Sequence, residues 1–349
     1  MNVAITLFAG YISGLLFFKV KIPGGMLIGA IFGTVLVALT LHCAEMPYCA
    51  KFAAQVTAGT FLGCLISKDN IIHLKEVYRP LFIVISSFFV LDIAVGTLIH
   101  CVTSIDLLTA LLSAIPGGIS DVPLIAADMG ANAPQVVVLQ FLRLCAGLSF
   151  PIWIAWLDSR RNREETCSSK MCAQGAANAP TCETSNVWHI ILVFVISSIC
   201  GGIGVALGIP AGALLFSMVG TLLFKVLFLP VSLPGKIKHF AQVLSGTYIG
   251  CSISVSALLG IPYLLLPALI IIVAYMLNAC VTGHILARCL SVPFKESMLM
   301  VTPAGGSDMA LISAEIGVES PTLVVLQIIR MIIAASIFPQ ICYQIARLF

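Results

Sequence analysis

Pro116-Gly-Gly-Ile-Ser-Asp-Val122 interrupts a long apolar stretch of this chain, and Pro303-Ala-Gly-Gly-Ser-Asp-Met309 interrupts a second one. Each opens a 28-residue segment, 116–143 and 303–330, and 14 of the 28 aligned positions are identical at an offset of 187. Each segment also ends in the same pattern, Gln-x-x-Arg. Because Pro and Gly break helices, a Pro-Gly tip followed by an Asp within apolar sequence marks the expected working site.

The same offset relates the rest of the chain. Without a gap, it pairs residues from about 4 to 157 with residues from about 191 to 344, including Pro23 with Pro210 and Gly33 with Gly220. The chain is therefore an internal duplication. We divide it into repeat one (residues 1–157), a polar linker (158–186) that we expect to be cytoplasmic, and repeat two (187–349).

Composition places the chain in a membrane. Hydrophobic residues make up 60%, charged residues 9%, and the mean hydropathy is +1.09, whereas a soluble domain carries about 25% charge. The first apolar run starts without a basic segment, so we expect a first spanning helix rather than a cleaved signal. No basic stripe or DNA-binding pattern is present, so the expected partner is the lipid bilayer and not nucleic acid.

Apolar runs long enough to cross a bilayer, about 17–25 residues each, predict five spans per repeat. They cover 3–18, 24–41, 52–67, 80–101 and 134–157, then 188–207, 211–229, 240–257, 262–286 and 321–345. The Pro-Gly segment lies between the fourth and fifth span of each repeat. Its two arms are about ten residues each, or roughly 15 Å of helix, so they either cross as one broken helix or return as a re-entrant hairpin.

The distribution of Lys and Arg favours the hairpin. With hairpins, repeat two is inverted, 14 of the 18 basic residues face the cytoplasm, and only Lys51 and Arg347 face outward. If each Pro-Gly segment instead crosses as one broken helix, the best arrangement places eleven basic residues in the cytoplasm and five outside. Cytoplasmic loops normally carry the excess of positive charge, so the hairpin fits better. We therefore predict an all-α polytopic protein with two inverted repeats of five helices, two re-entrant hairpins, and both termini outside.

Inverted hairpins would bring their tips together near the membrane midplane. Asp121 and Asp308 are then candidates for cation binding or proton coupling, because carboxylates and freed carbonyls suit a hard cation. The alternative is that each Asp caps a buried helix start or neutralises an Arg. Ser120 and Ser307 suit helix N-caps. The substrate-binding candidates are Gly117, Gly118, Ser120, Gln140, Arg143, Gly305, Gly306, Ser307, Gln327 and Arg330.

Several of these polar residues allow two interpretations. Arg143 and Arg330 either hold a substrate carboxylate or pair permanently with Asp121, Asp128, Asp308 and Glu315. Gln140 and Gln327, one helical turn away, would share either role. Asp92 is matched by Ala279, and function, packing and a dimer contact all remain open for it. Gly59-x-x-x-Gly63 and its copy at Gly246 and Gly250 predict close helix packing, against a hairpin in one reading.

The remaining residues offer no cofactor chemistry. The six histidines are scattered, and the linker cysteines Cys167, Cys172 and Cys182 match no standard ligand spacing, so we expect neither a metal nor a cofactor. Cys43 and Cys49 lie in an expected outer loop, where a disulfide is an option. Neither a phosphate-binding loop nor a nucleophile elbow is present. We therefore expect a protein that is not an enzyme.

The chain resembles the duplicated AbrB-type membrane protein family of bacteria. The resemblance covers nearly the whole chain and rests on both Pro-Gly tips and on their Gln-x-x-Arg endings, with Ala304 a departure from the usual Gly. Members have been labelled ammonia monooxygenases or regulators. More distantly, the layout resembles sodium–glutamate symporters and other elevator transporters. That resemblance implies a homodimer in which a mobile domain carries the hairpins against a fixed scaffold.

These observations favour a secondary transporter in the bacterial inner membrane. Its expected solute is a small carboxylate or amino acid, and its expected coupling ion is sodium or a proton. A membrane oxidoreductase is the alternative, and it would need a metal-ligand cluster that the sequence lacks. A membrane regulatory protein is a third reading, but the 29-residue linker is too short to form a signalling domain.

Overall fold

The computed structural model describes residues 2–20, 24–41, 46–65, 68–161, 187–227, 233–253, 261–290, 294–302 and 321–348. These residues form α-helices joined by short connections, and no strand occurs among them. The helices are α1 (Asn2–Lys19), α2 (Gly25–Leu41), α3 (Tyr48–Leu65), α4 (Lys68–Val102), α5 (Leu107–Ala114), α6 (Val122–Asp128), α7 (Ala133–Arg161), α8 (Val187–Ala206), α9 (Gly212–Leu227), α10 (Gly235–Cys251), α11 (Leu265–Leu290), α12 (Phe294–Val301) and α13 (Pro321–Leu348). A short 3₁₀ turn, Ile261–Leu264, precedes α11.

Each of the ten predicted spans overlaps one of these helices within the described ranges. Five have both the length and the apolar composition to cross a membrane: α1, α4 from Tyr78, α8 from Trp188, α11, and α13 from Val325. Three more, in α2, α7 and α9, are apolar but shorter. The chain thus has the helices of a membrane protein.

The helices α3 and α10 belong to neither class. Most of α3 is buried, including the polar side chains of Gln55, Thr57 and Thr60. A helix surrounded by other helices does not have to be apolar on every face, because its polar groups meet protein and not lipid. This is why a composition rule finds fewer spans than the number of helices that fill the core.

The helices pack as two groups that do not follow the sequence repeats. The six-helix group contains α1, α2, α3, α8, α9 and α10, and the seven-helix group contains α4 to α7 and α11 to α13. The main packing between the groups places α6 and α7 against α10. Each group therefore combines helices of both repeats, with α6 at the boundary.

Contacts between the repeats occur in matched pairs. Helix α2 packs on α10 while α9 packs on α3, and α4 packs on α13 while α11 packs on α7. Within each pair, the second contact joins the helices that lie 187 residues before or after the helices of the first contact. Two copies that exchange contacts in this way have the packing pattern of a twofold relation.

Glycines allow these exchanged helices to approach closely. A Cβ atom added to Gly246 on α10 would lie 2.6 Å from the carbonyl oxygen of Leu27 on α2. A Cβ atom added to the equivalent Gly59 on α3 would lie even closer to the carbonyl oxygen of Leu214 on α9. Close packing at the Gly-x-x-x-Gly segments is thus confirmed, and among the described residues the partners are α2 and α9 and not a hairpin.

Candidate functional site

The Pro-Gly segment of repeat one is a buried break between two short helices. Helix α5 ends at Ala114, Ile115 is extended with φ −59° and ψ 131°, and α6 begins at Val122. Pro116 lacks an N–H group and therefore cannot continue α5. The arms of eight and seven residues are close to the expected length. The ends that flank the break are fully buried, at Ala114, Ile115 and Val122.

The two arms begin and end next to each other. After α6, the backbone N–H of Asn132 donates to the hydroxyl of Thr109 in the first turn of α5, at 2.9 Å. Asp106 caps α5 through its side chain, which accepts from the Thr109 N–H group at 2.9 Å. The chain therefore returns to the start of α5 after it passes through the break.

A glutamine satisfies the carbonyl groups that the break exposes. The Gln140 Nε2 atom donates to the carbonyl oxygens of Leu112, Ser113 and Ile115 at 3.1, 3.3 and 3.0 Å. The last carbonyl groups of a helix have no partner within the helix, so a buried end needs such a donor. Gln140 is itself fully buried, which makes it a structural cap for α5.

Repeat two reproduces this cap. The Gln327 Nε2 atom donates to the carbonyl oxygens of Leu299, Met300 and Thr302 at 2.7, 3.2 and 3.2 Å. These are the positions 187 residues after the acceptors of Gln140. The matched caps indicate that α12 ends in the same way as α5.

The two arginines also bind backbone at the breaks. Arg143 donates from Nη1 to the Ile115 carbonyl oxygen and from Nη2 to the Gly117 carbonyl oxygen, the latter at 3.0 Å. Arg330 donates from Nη1 to the Thr302 carbonyl oxygen at 3.4 Å. Both arginine residues are 3% exposed. Arg143 forms no ion pair with a carboxylate in the described part of the chain.

Each arginine also stacks on an aromatic ring from the other repeat. The guanidinium carbon of Arg143 lies 5.5 Å from the ring centroid of Tyr275, and that of Arg330 lies 5.2 Å from the ring centroid of Phe88. The two rings are themselves 5.7 Å apart, and they are equivalent under the offset of 187. Sequence reasoning missed both aromatics, although their matched positions in the fourth spans were an available signal.

Asp121 lies at the start of α6 and is 6% exposed. It occupies the N-cap position, but its side chain makes no capping hydrogen bond. Instead the Ser120 hydroxyl donates to Asp121 Oδ1 at 3.0 Å, so the expected Ser120 cap is wrong. A Cβ atom on Gly118 would collide with Asp121 Oδ2. The glycine at this position therefore leaves room for the carboxylate.

The acidic residue at the far end of α6 joins the two helix groups. Asp128 Oδ1 lies 2.6 Å from the Nζ atom of Lys51 on α3, and Asp128 Oδ2 accepts from the Ala211 N–H group at 2.6 Å. Ala211 precedes α9 and has a positive φ of 57°. The alternative in which Asp128 is the partner of an arginine is therefore wrong, because its ion-pair partner is Lys51.

Lys51 is the residue of this contact that the sequence did not single out. The predicted topology places it on the outer side of the membrane, and it is 5% exposed within α3. Its Nζ atom also lies 5.6 Å from the Tyr48 ring and 5.7 Å from the Tyr248 ring. The repeat offset pairs Lys51 with Lys238 and Asp128 with Glu315. The recurrence of a basic and an acidic residue at matched positions of both repeats was the signal from which the contact between Lys51 and Asp128 could have been predicted.

Several predictions fall outside the described residues. They are those for Gly305, Gly306, Ser307, Asp308 and Glu315 in the second Pro-Gly segment, for the linker cysteines Cys167, Cys172 and Cys182, and for Cys43. Cys49 is exposed and has a free thiol. No group of three or more His, Cys, Asp or Glu residues that could hold a metal ion occurs within the described ranges.

Comparison with known families agrees with the repeat. The sequence model of a family described as "Transition state regulatory protein AbrB" matches residues 1–158 and 168–346. The chain belongs to the AbrB family. The two matched segments correspond closely to the two repeats, so the resemblance drawn from the Pro-Gly tips and the Gln-x-x-Arg endings is confirmed.

Two AbrB relatives are similar over most of their length. "Putative regulator AbrB" of Escherichia coli (strain K12) is 25% identical over 332 residues, which cover 90% of this chain and 88% of that protein. "Uncharacterized protein YhjN" of Bacillus subtilis (strain 168) is 23% identical over 296 residues, which cover 82% of this chain and 76% of that protein.

Proposed function

We propose that this protein is a secondary active transporter of a small carboxylate or amino acid, coupled to sodium ions or protons. The observation that carries the proposal is the buried break between α5 and α6. There Asp121 lies beside a stretch of backbone that belongs to neither helix. Irregular backbone among membrane-spanning helices persists where it is buried in protein or lines a cavity, and buried carboxylates there mark ion pathways. Broken helices of this kind form the binding sites of transporters.

In this proposal, repeat two is inverted and the two broken segments are re-entrant hairpins that enter from opposite faces. The exchanged contacts between the repeats support the twofold relation. The hydrogen bond from Asn132 to Thr109 supports the return of the first hairpin, and the distribution of Lys and Arg supports inversion. Both termini then lie on the outer, periplasmic side of the bacterial inner membrane.

The solute would bind between the hairpin tips. The Gln140 and Arg143 donors that reach the break are engaged with backbone, so these residues shape the tip, and Gly117, Gly118 and Ser120 remain to contact the solute. The positive charge of Arg143 has no carboxylate partner among the described residues. Its potential therefore favours an anionic group, which is why we propose a carboxylate. Asp121 would carry the coupling ion, together with Asp308.

The two helix groups provide the moving parts. The seven-helix group contains the first hairpin and meets the six-helix group mainly where α6 and α7 pack on α10. We propose that it moves against the six-helix group in an elevator cycle and that two copies of the chain form a homodimer through their six-helix groups. The contact between Lys51 and Asp128 would then hold one end state.

The test is uptake by purified protein in proteoliposomes. A panel of carboxylates and amino acids is offered under an imposed sodium or proton gradient, and at least one should accumulate. Asp121→Asn should abolish gradient-driven uptake, whereas Asp106→Asn, which changes an exposed cap on α5, should retain it. Absence of uptake for every solute in the panel would refute the transporter, and wild-type uptake by Asp121→Asn would refute the role of Asp121.

A regulatory role is the second candidate, because the family description and the E. coli relative carry that name. A regulator would bind a signal without moving it across the bilayer. Saturable solute binding by the purified protein, with no accumulation inside proteoliposomes, would favour this role. No observation on the described residues favours the oxidoreductase alternative.

A further inference from the structure

Asp92 is a second buried carboxyl group, and it lies outside the Pro-Gly segment. It is near the middle of the apolar stretch Tyr78–Val102 of α4 and is 0% exposed. The Cys342 thiol on α13 donates to Asp92 Oδ2, with 3.2 Å between the heavy atoms. Asp92 Oδ1 has no hydrogen-bond partner among the described residues. Within the part of the chain that the structure describes, the hydrogen-bond partner of this carboxyl group is therefore a weak thiol donor.

The charged and titratable groups around Asp92 are engaged elsewhere. Arg143 on α7 and Arg330 on α13 donate to the backbone at the breaks, and the Tyr275 hydroxyl on α11 donates to the Ala114 carbonyl oxygen. Helix α5 contributes no titratable side chain. No Lys, Arg or His nitrogen lies within 4.0 Å of either Asp92 oxygen in the described ranges.

Asp128 shows how this protein stabilises an ionised carboxylate. One Asp128 oxygen meets the Lys51 ammonium group at 2.6 Å, and the other accepts from a backbone N–H group at 2.6 Å. Among the described residues, Asp92 has neither a cation nor a backbone donor. A buried carboxylate without such partners costs several kcal/mol, whereas its neutral form avoids most of that cost.

We propose that Asp92 is a proton-binding site, and that the structure holds it in the protonated, occluded state of a proton-coupled cycle. The inference rests on the proposed transport function and deepens it by adding a proton, bound at Asp92, to the coupling ion that Asp121 would carry. The carboxylate takes up one proton when it faces one side of the membrane and releases it on the other side. No other bond is made or broken.

The repeat indicates one such site per chain. The position equivalent to Asp92 in repeat two is Ala279, which lines a cavity of about 10 Å³ beside Arg143, Tyr275 and Thr302. That volume is about enough for one water molecule. The second copy has no carboxyl group at this position. The glutamine caps and the stacked arginines occur in both repeats, whereas the Asp92 carboxyl group occurs in one. The proposed stoichiometry from this site is therefore one proton per chain in each cycle.

The first test is infrared spectroscopy of the purified protein in lipid nanodiscs at neutral pH. A protonated carboxyl group has a carbonyl stretching band that a carboxylate lacks. The wild-type spectrum should contain this band, and Asp92→Asn should lose it. Asp106→Asn is the matched control, because Asp106 is exposed and its side chain accepts the backbone N–H group of Thr109. A band that survives in Asp92→Asn, or no band in the wild type, would overturn the proposal.

Asp92→Ala provides a second variant, since it reproduces the residue that repeat two already has. It should lose the same band as Asp92→Asn. In proteoliposomes, both variants should lose uptake driven by a proton gradient and keep exchange of solute at equal pH on both sides. Retention of proton-driven uptake by both variants would overturn the proposal. If the wild type moves no solute, the transport function fails, while the infrared result still decides the state of Asp92.

Discussion

The ion pair between Lys51 and Asp128 allows a prediction about stability. Asp128→Asn keeps an acceptor for the Ala211 N–H group, but it leaves the Lys51 ammonium group without its partner at 2.6 Å. Breaking a buried pair by removing one partner costs about 3–5 kcal/mol. Here the Asp128 side chain is 17% exposed, and Lys51 keeps the Ala127 carbonyl oxygen at 3.4 Å and two tyrosine rings.

These remaining contacts reduce the expected loss. A cation over an aromatic ring retains about 0.5–2 kcal/mol, so we expect Asp128→Asn to lower the free energy of unfolding by about 2–4 kcal/mol. Lys51→Met should lower the free energy of unfolding by a similar amount, because it leaves the Asp128 carboxylate without its cationic partner. The double variant removes both charges, so its loss should be smaller than the sum of the single losses by about 2 kcal/mol.

The measurement is reversible unfolding of the four proteins (wild type, two single variants and the double variant) in mixed micelles with increasing denaturing detergent. Asp106→Asn is a control with the same chemical change at an exposed position, and it should alter the free energy of unfolding by less than about 0.5 kcal/mol. Single losses that add to the double loss within about 0.5 kcal/mol would refute the coupling.

Two further predictions concern the matched features of the repeats, and the same unfolding assay measures both. Gln140→Leu and Gln327→Leu should each lower the free energy of unfolding by about 2–4 kcal/mol, because each leaves two buried carbonyl groups without a donor while the arginine keeps the third; a neutral effect at either position would contradict the caps. Gly59→Ala and Gly246→Ala should each cost about 1–3 kcal/mol through a clash with the facing carbonyl oxygen, whereas Gly202→Ala, with open space around its Cβ position, should be neutral or stabilising.

Much of the secondary structure could be predicted from local sequence. Ten apolar runs predicted ten helices because a backbone in an apolar environment must satisfy its own hydrogen bonds. The break at Pro116 was predictable because proline has no N–H group. The duplicated pattern also gave the correct family, which two matched segments confirm. Composition alone was less complete, since α3 and α10 carry buried polar residues that lower their hydropathy.

The partners of the polar residues were not predictable in the same way. Arg143 had two expected partners, a substrate carboxylate or an aspartate, but its Nη atoms bind the carbonyl oxygens of Ile115 and Gly117. An arginine was one of the partners considered for Asp128, which instead binds Lys51, 77 positions away in the chain. Sequence periodicity carries no information about which of several distant donors reaches a given acceptor.

The sequence by itself determined the repeat, because the two copies can be compared residue by residue. It also determined the helices and the two predicted breaks, because these depend on interactions within a few residues of the chain. Only the tertiary structure decided how each break is capped and which carboxyl groups are paired. Asp128 and Asp92 are the same residue type within apolar sequence, yet one has an ammonium partner and the other a thiol. That difference arises from which side chains the packing of α3, α9 and α13 brings within hydrogen-bond distance.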